Sequence, residues 1–120
     1  MEVRIDVQPD HVRVVALGAF DPKAARSGIA GIIATCEERG LDRVLIDGRG
    51  ITSPVSVLER YELAKTIADG TKRRLRLAVV VTRENMFSKT LEHTARNMGM
   101  DVRTTDSMAE ALTYLGLLTR

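Results

Sequence analysis

The chain has no tryptophan, and only 3% of its residues are aromatic. Its core must therefore be assembled from Val, Ile, Leu, Ala and Met. The same scarcity argues against a base-stacking platform for nucleic acid, which needs aromatic side chains on an exposed surface. The single cysteine, Cys36, excludes an intramolecular disulfide and a multi-cysteine zinc site. Its spacing places it on the apolar face of a helix, where a buried thiol is inert. No apolar run approaches the length needed to cross a bilayer. The opening Met1-Glu2-Val3-Arg4-Ile5-Asp6 alternates in charge and is unlike a signal peptide, so a cytoplasmic location is the expectation.

What is present describes one globular unit. At 120 residues, 44% hydrophobic and 28% charged, the chain reads as a single domain over 1–120. The net charge of +2 is mild, and only Lys72, Arg73, Arg74 and Arg76 cluster. That cluster reads as a solvated loop beside a helix end, and no nucleic-acid partner is expected.

The periodicity gives the element order. Glu2 to Val7 alternates strictly and predicts a half-buried edge strand; Pro9-Asp10 turns the chain into a second strand over His11 to Leu17. Asp21-Pro22 starts a helix whose apolar positions are Ala25, Ile29, Ile32, Ile33 and Cys36, and Gly40 stops it. Gly28 and Gly31 inside that helix cost about 1 kcal/mol each relative to Ala. Close approach to the sheet, or to a second subunit, would offset that cost. A continuous apolar strand follows at Arg43 to Asp47, then a glycine-containing loop over Gly48-Arg49-Gly50-Ile51-Thr52. The second helix is predicted to begin near Ser53-Pro54 and to bury Val57, Leu58, Tyr61, Ala64, Ile67 and Ala68. Leu75 to Val81 is the most hydrophobic strand and should lie centrally. A third helix on Phe87, Leu91, Ala95 and Met98, a strand at Asp101 to Thr104, and a final helix from Asp106-Ser107 burying Met108, Ala111, Leu112 and Leu115 complete the order. Such alternation predicts an α/β fold: a mostly parallel five-stranded sheet, an antiparallel N-terminal edge strand and four helices.

This order resembles the sulphate-transporter and anti-sigma-antagonist (STAS) domain, with its SpoIIAA-like β-α superhelix, and in particular looks like the divergent STAS-like branch of unknown function grouped with CRAL-TRIO-like lipid carriers. The telling segment is Val44-Leu45-Ile46-Asp47-Gly48-Arg49-Gly50-Ile51-Thr52: a buried strand ending in Asp, a glycine-containing loop, then a helix N-terminus. The resemblance implies a non-enzymatic regulatory or protein-interaction module, binding a protein partner through the loop and helix after the third strand. It departs from the anti-sigma antagonists at their phosphorylated serine. Thr52-Ser53-Pro54 stands there with no Asp beside the Ser, so control by serine phosphorylation is not expected.

The candidate binding residues are Asp47, Arg49, Thr52, Ser53 and Ser56, at a strand-to-helix junction whose exposed N–H groups favour an anion. Three of them also have a structural role open to them. Asp47 can accept loop N–H groups, Ser53 can cap the helix, and Ser56 with Glu59 forms a competing capping box. Gly48-Arg49-Gly50 lacks both the further glycine of a dinucleotide fingerprint and the Lys of a P-loop. His11 and His93 are far apart and support no metal site, and no residue is assigned a catalytic role. No cofactor is expected. Beside the protein partner, two further partners stay open: a small apolar or anionic ligand, as the carrier relatives imply, and a second copy in a homodimer. For the homodimer the motive is the unpaired edge of the first strand and the apolar Leu115, Leu117 and Leu118.

Overall fold

The N-terminal hairpin seeds the sheet. In the computed structural model, which describes residues 1–71, 74–86, 96–97 and 99–117, β1 (Glu2–Val7) pairs antiparallel with β2 (Val12–Gly18). The Gln8 N–H donates to the His11 carbonyl at 2.9 Å and closes the turn. Strict alternation sends Val12, Val14 and Ala16 to one face, where all three are buried. β3 (Arg43–Ile51), β4 (Arg76–Val80) and β5 (Asp101–Thr105) then add in parallel, in the order β1-β2-β3-β4-β5.

Two layers cover the sheet. The helices α1 (Pro22–Arg39) and α2 (Val57–Gly70) take one face. There Ile32 and Cys36 of α1 join Val12, Val14, Val44, Leu77 and Val102 in the main core, with Ile67 and Ala68 of α2 packed alongside. The C-terminal helix α3 (Met108–Leu115) takes the other face, burying Ala111 and Leu115 against Leu45, Ala78 and Val80. β4 is apolar without alternation because it is covered on both sides.

The helix ends follow local chemistry. The Asp21 carboxylate accepts the Lys23 N–H at 3.1 Å ahead of Pro22, and Gly40 ends α1 at φ 67°, a left-handed conformation that suits glycine. Ser107 caps α3 by accepting the Glu110 N–H, and Gly116 closes it at φ 72°. Arg43 and Arg76 reach the last carbonyls of α3, those of Leu115 and Tyr114. The guanidinium groups of Arg76 and Arg103 lie 5.5 and 5.4 Å from the centre of the Tyr114 ring. Arg74 pairs with Asp101 through two hydrogen bonds, so two members of the basic cluster are engaged within the chain.

Three expectations change. Four helices were expected, whereas three α-helices stand among the described residues; the helix expected on Phe87, Leu91, Ala95 and Met98 lies outside them, as do Lys72, Arg73, His93 and Leu118. The loop expected at Gly48–Thr52 is for the most part strand. After a register shift between Val15 and Leu17, Gly50 pairs with Leu17 and Ile51 with Gly18, which carries β3 four residues further. α2 starts at Val57, because the reciprocal bonds between Ser56 and Glu59 outcompete a cap at Ser53.

The helical glycines serve contact within the chain. A Cβ at Gly28 would lie 3.1 Å from Val3 Cγ1, and one at Gly31 3.0 Å from Ile5 Cδ1. α1 therefore presses its glycines onto β1. Gly28→Leu should lower the urea midpoint, because an overpacking cost of about 1–3 kcal/mol exceeds the helix-propensity gain of up to about 1 kcal/mol. A variant more stable than the parent would show that α1 does not need this approach.

Candidate functional site

The junction between β3 and α2 gathers all five residues singled out from the sequence, and most of their polar groups meet the chain itself. The half-buried Asp47 carboxylate accepts three hydrogen bonds from Arg49: from the backbone N–H at 3.1 Å, from Nε at 2.9 Å and from Nη2 at 2.8 Å. Those bonds hold the Asp47 carboxyl below its ordinary value and raise that of the Arg49 guanidinium. The Thr52 N–H donates to the Gly18 carbonyl at 3.0 Å. The Ser53 hydroxyl accepts the Phe20 N–H at 2.8 Å, tying the junction to the entry of α1. Ser56 caps α2.

A sixth residue went unnoticed in the sequence. Arg60 is 6% exposed, and it lies on the helix turn expected to bury Val57, Leu58 and Tyr61. Its Nε donates to the Val55 carbonyl at 3.1 Å and its Nη2 to Asn85 Oδ1 at 3.4 Å. The same Asn85 oxygen accepts the Val55 N–H at 3.3 Å. Asn85 is itself buried, on the 3-10 turn Arg83–Asn85 after β4. Burial lowers the Arg60 pKa from its ordinary value. With Arg60 turned inward, Val57, Leu58 and Tyr61 face solvent at 49, 65 and 44% exposure. The inward face of α2 consists of Arg60, Leu63, Ala64 and Ile67. Arginine is seldom buried unless it is hydrogen-bonded, so residue type alone pointed the other way.

Between that face, α1 and the sheet lies a cavity of about 150 Å³. The sheet contributes Val14, Ala16, Ile46, Gly48, Leu77, Val79 and Val102, and α1 contributes Ala25, Gly28, Ile29 and Ile32. Arg60, Asn85 and Thr104 bring the polar side chains of the lining. Several positions that face inward carry Ala or Gly, and the chain has few aromatic rings to fill the space they leave. A run of small residues at core positions, Ala16, Ala25, Gly28, Gly48 and Ala64, was the available signal. Alternation along β3 turns Ile46 and Gly48 to the cavity, while Leu45 joins the α3 side. Asp47 follows Leu45, so the cavity and the Asp47–Arg49 pair lie on opposite faces of the sheet.

Among the described residues, no group of three His, Cys, Asp or Glu side chains is placed to hold a metal, and no helix is long and apolar enough to cross a membrane. Comparison with protein-family models finds no match, and comparison with curated proteins finds none.

The Asp47–Arg49 pair predicts a pH-dependent stability. Because the folded carboxyl is held low, its contribution is complete above the ordinary carboxylate value of about 3.9 and is lost as the pH falls through the lowered value. Asp47→Asn should cost about 1 kcal/mol at neutral pH, a modest figure because the Arg49 side chain is half-exposed. In urea titrations the gap to the parent should close in acid. A gap that stays constant down to acid would show that the charge on Asp47 is irrelevant.

Proposed function

We propose that this chain is a non-enzymatic binding module that takes a small apolar molecule into the cavity between α1, α2 and the sheet. The observation that carries this reading is the cavity itself, about 150 Å³ with an almost wholly aliphatic lining. An apolar space of this size is large enough for a guest roughly the size of benzene. Aliphatic walls favour such a guest by removing its surface from water, without a directional contact. The carrier branch of the STAS-like resemblance points to the same ligand class. The junction residues Asp47, Arg49, Ser53 and Ser56 then act as the frame that joins β3, α1 and α2 around the cavity.

A second reading keeps the protein partner. It is favoured by Val57, Leu58 and Tyr61, an exposed apolar group on the first turns of α2. In that case the partner docks on the outward face of α2 and makes no use of the cavity.

A benzene titration followed through methyl NMR tests the first reading. Shifts are expected at Ile29, Ile67 and Val79, with a rise in melting temperature by mass action. Ala64→Leu, which fills the cavity, should abolish the shifts, whereas Leu58→Ser on the outward face should leave them intact. If saturating benzene moves none of these methyls in the parent protein, the apolar-ligand reading is wrong. Shifts lost on Leu58→Ser instead would relocate the guest to the outward face.

A further inference from the structure

β1 ends the sheet, and one of its sides has no neighbour among the described residues. Its six residues alternate in two useful ways. Val3, Ile5 and Val7 share the face under α1, and Glu2, Arg4 and Asp6 share the other. Although they lie on the core side, Ile5 and Val7 remain 37% exposed. An open edge with apolar residues along it is a template for another strand. The charges on the opposite face decide which strand suits it.

A second copy of β1, antiparallel about a two-fold axis, can be set in several registers. An axis through Arg4 would place Arg4 against its own copy and Glu2 against Asp6, which is repulsive at each pair. An axis through Val3 would pair Glu2 with Arg4 but leave Asp6 and Val7 beyond the overlap. An axis through Ile5 pairs Arg4 with Asp6 twice, Val3 with Val7 twice, and Ile5 with itself. Only this last register satisfies the charged face and the apolar face together while overlapping Val3–Val7, with Glu2 set opposite Gln8 just beyond the strand.

The helix above leaves room for it. Gly31 sits over Ile5, where the axis would pass, and Ser27 and Ala34 beside it at helical spacing are small; Glu38 continues this flank one turn beyond Ala34. α1 lies over β1 and β2. With strands about 4.8 Å apart, the two copies of α1 would stand roughly 10 Å apart across the axis, a helix-packing distance. Larger side chains on this flank would block that approach. Glu2 now binds Arg4 within one exposed strand, and Gln8 donates to Asp6 at 2.8 Å. Both contacts are solvent-exposed and yield readily to a cross-strand pair.

We propose that two copies of this chain join through β1 into a ten-stranded sheet, antiparallel about a two-fold axis at Ile5, with Arg4 of each copy opposite Asp6 of the other. The charge pattern makes the test specific. Arg4→Glu alone places Glu against Asp6 at both pairs, and Asp6→Arg alone places Arg against Arg4 at both pairs. Each variant should weaken self-association by about tenfold or more. Mixing the two variants creates a Glu–Arg pair and an Asp–Arg pair, and should restore a species of twice 13.2 kDa in light scattering. Circular dichroism checks folding, since Asp6→Arg also sets Arg beside Arg13 of β2. Should that variant fail to fold, hydrogen exchange on the unaltered protein replaces it: alternate amides of Glu2–Val7 should gain protection as concentration rises. A parent protein that is monomeric at the highest concentration, or whose β1 exchange is independent of concentration, overturns the proposal. So does self-association unaffected by Arg4→Glu, or a mixture of folded variants that does not restore it.

Discussion

The rotation of α2 is set by one buried guanidinium. Removing a cation from water costs several kcal/mol unless its donors are satisfied, and Arg60 meets the Val55 carbonyl and the Asn85 side chain. Those two partners come from opposite ends of the fold's second crossover: Val55 precedes α2, and Asn85 follows β4. The guanidinium thereby joins segments that the sheet alone leaves apart. Once Arg60 points inward, Leu58 and Tyr61 turn outward, and Val57 stays half-exposed at the first position of the helix. The cavity wall and the exposed apolar turn are two consequences of the same rotation.

Composition explains why that rotation leaves space. A sheet of Val, Ile and Leu packed against helices with Ala and Gly at inward positions has no large rings to interdigitate. Close packing normally eliminates such voids, because each carries a loss of contacts for the atoms that line it. Here the opposite face behaves normally: α3 closes on Leu45, Ala78 and Val80 with Leu115 almost wholly buried. The looseness belongs to the α1–α2 side. α1 is held close to β1 by glycines, and α2 is held by Arg60 near its start and by Ile67 and Ala68 in the core toward its end.

The junction after β3 works as a joint between layers. Asp47 and Arg49 neutralise each other on the α3 face, Ser53 answers the entry of α1, and Ser56 begins α2. Residue types suited to holding an anion are the same types that hold a turn, because both tasks use the same donors and acceptors. The neighbourhood of the candidate residues was legible in the sequence. Their bonding was not, since the Ser53 partner lies 33 residues away.

Much of the architecture follows from local signals alone. The alternation of β1 and β2, the uninterrupted apolar run of β4, Asp21-Pro22 ahead of α1 and Gly40 behind it are periodicity and capping chemistry that hold in any context. They sufficed for an α/β fold with a mostly parallel sheet and an antiparallel edge. The tertiary structure decided the rest wherever two local choices were nearly equal or a partner was distant. β3 extends through Ile51 because β2 offers it a ladder, and Ser56 prevails over Ser53 because Glu59 bonds back while Phe20 engages the other hydroxyl. Arg60 is buried against the preference of its type because Val55 and Asn85 converge on it. Hydrophobic pattern reports which residues favour leaving water, and only the assembled fold determines where a polar group finds enough partners to leave it too.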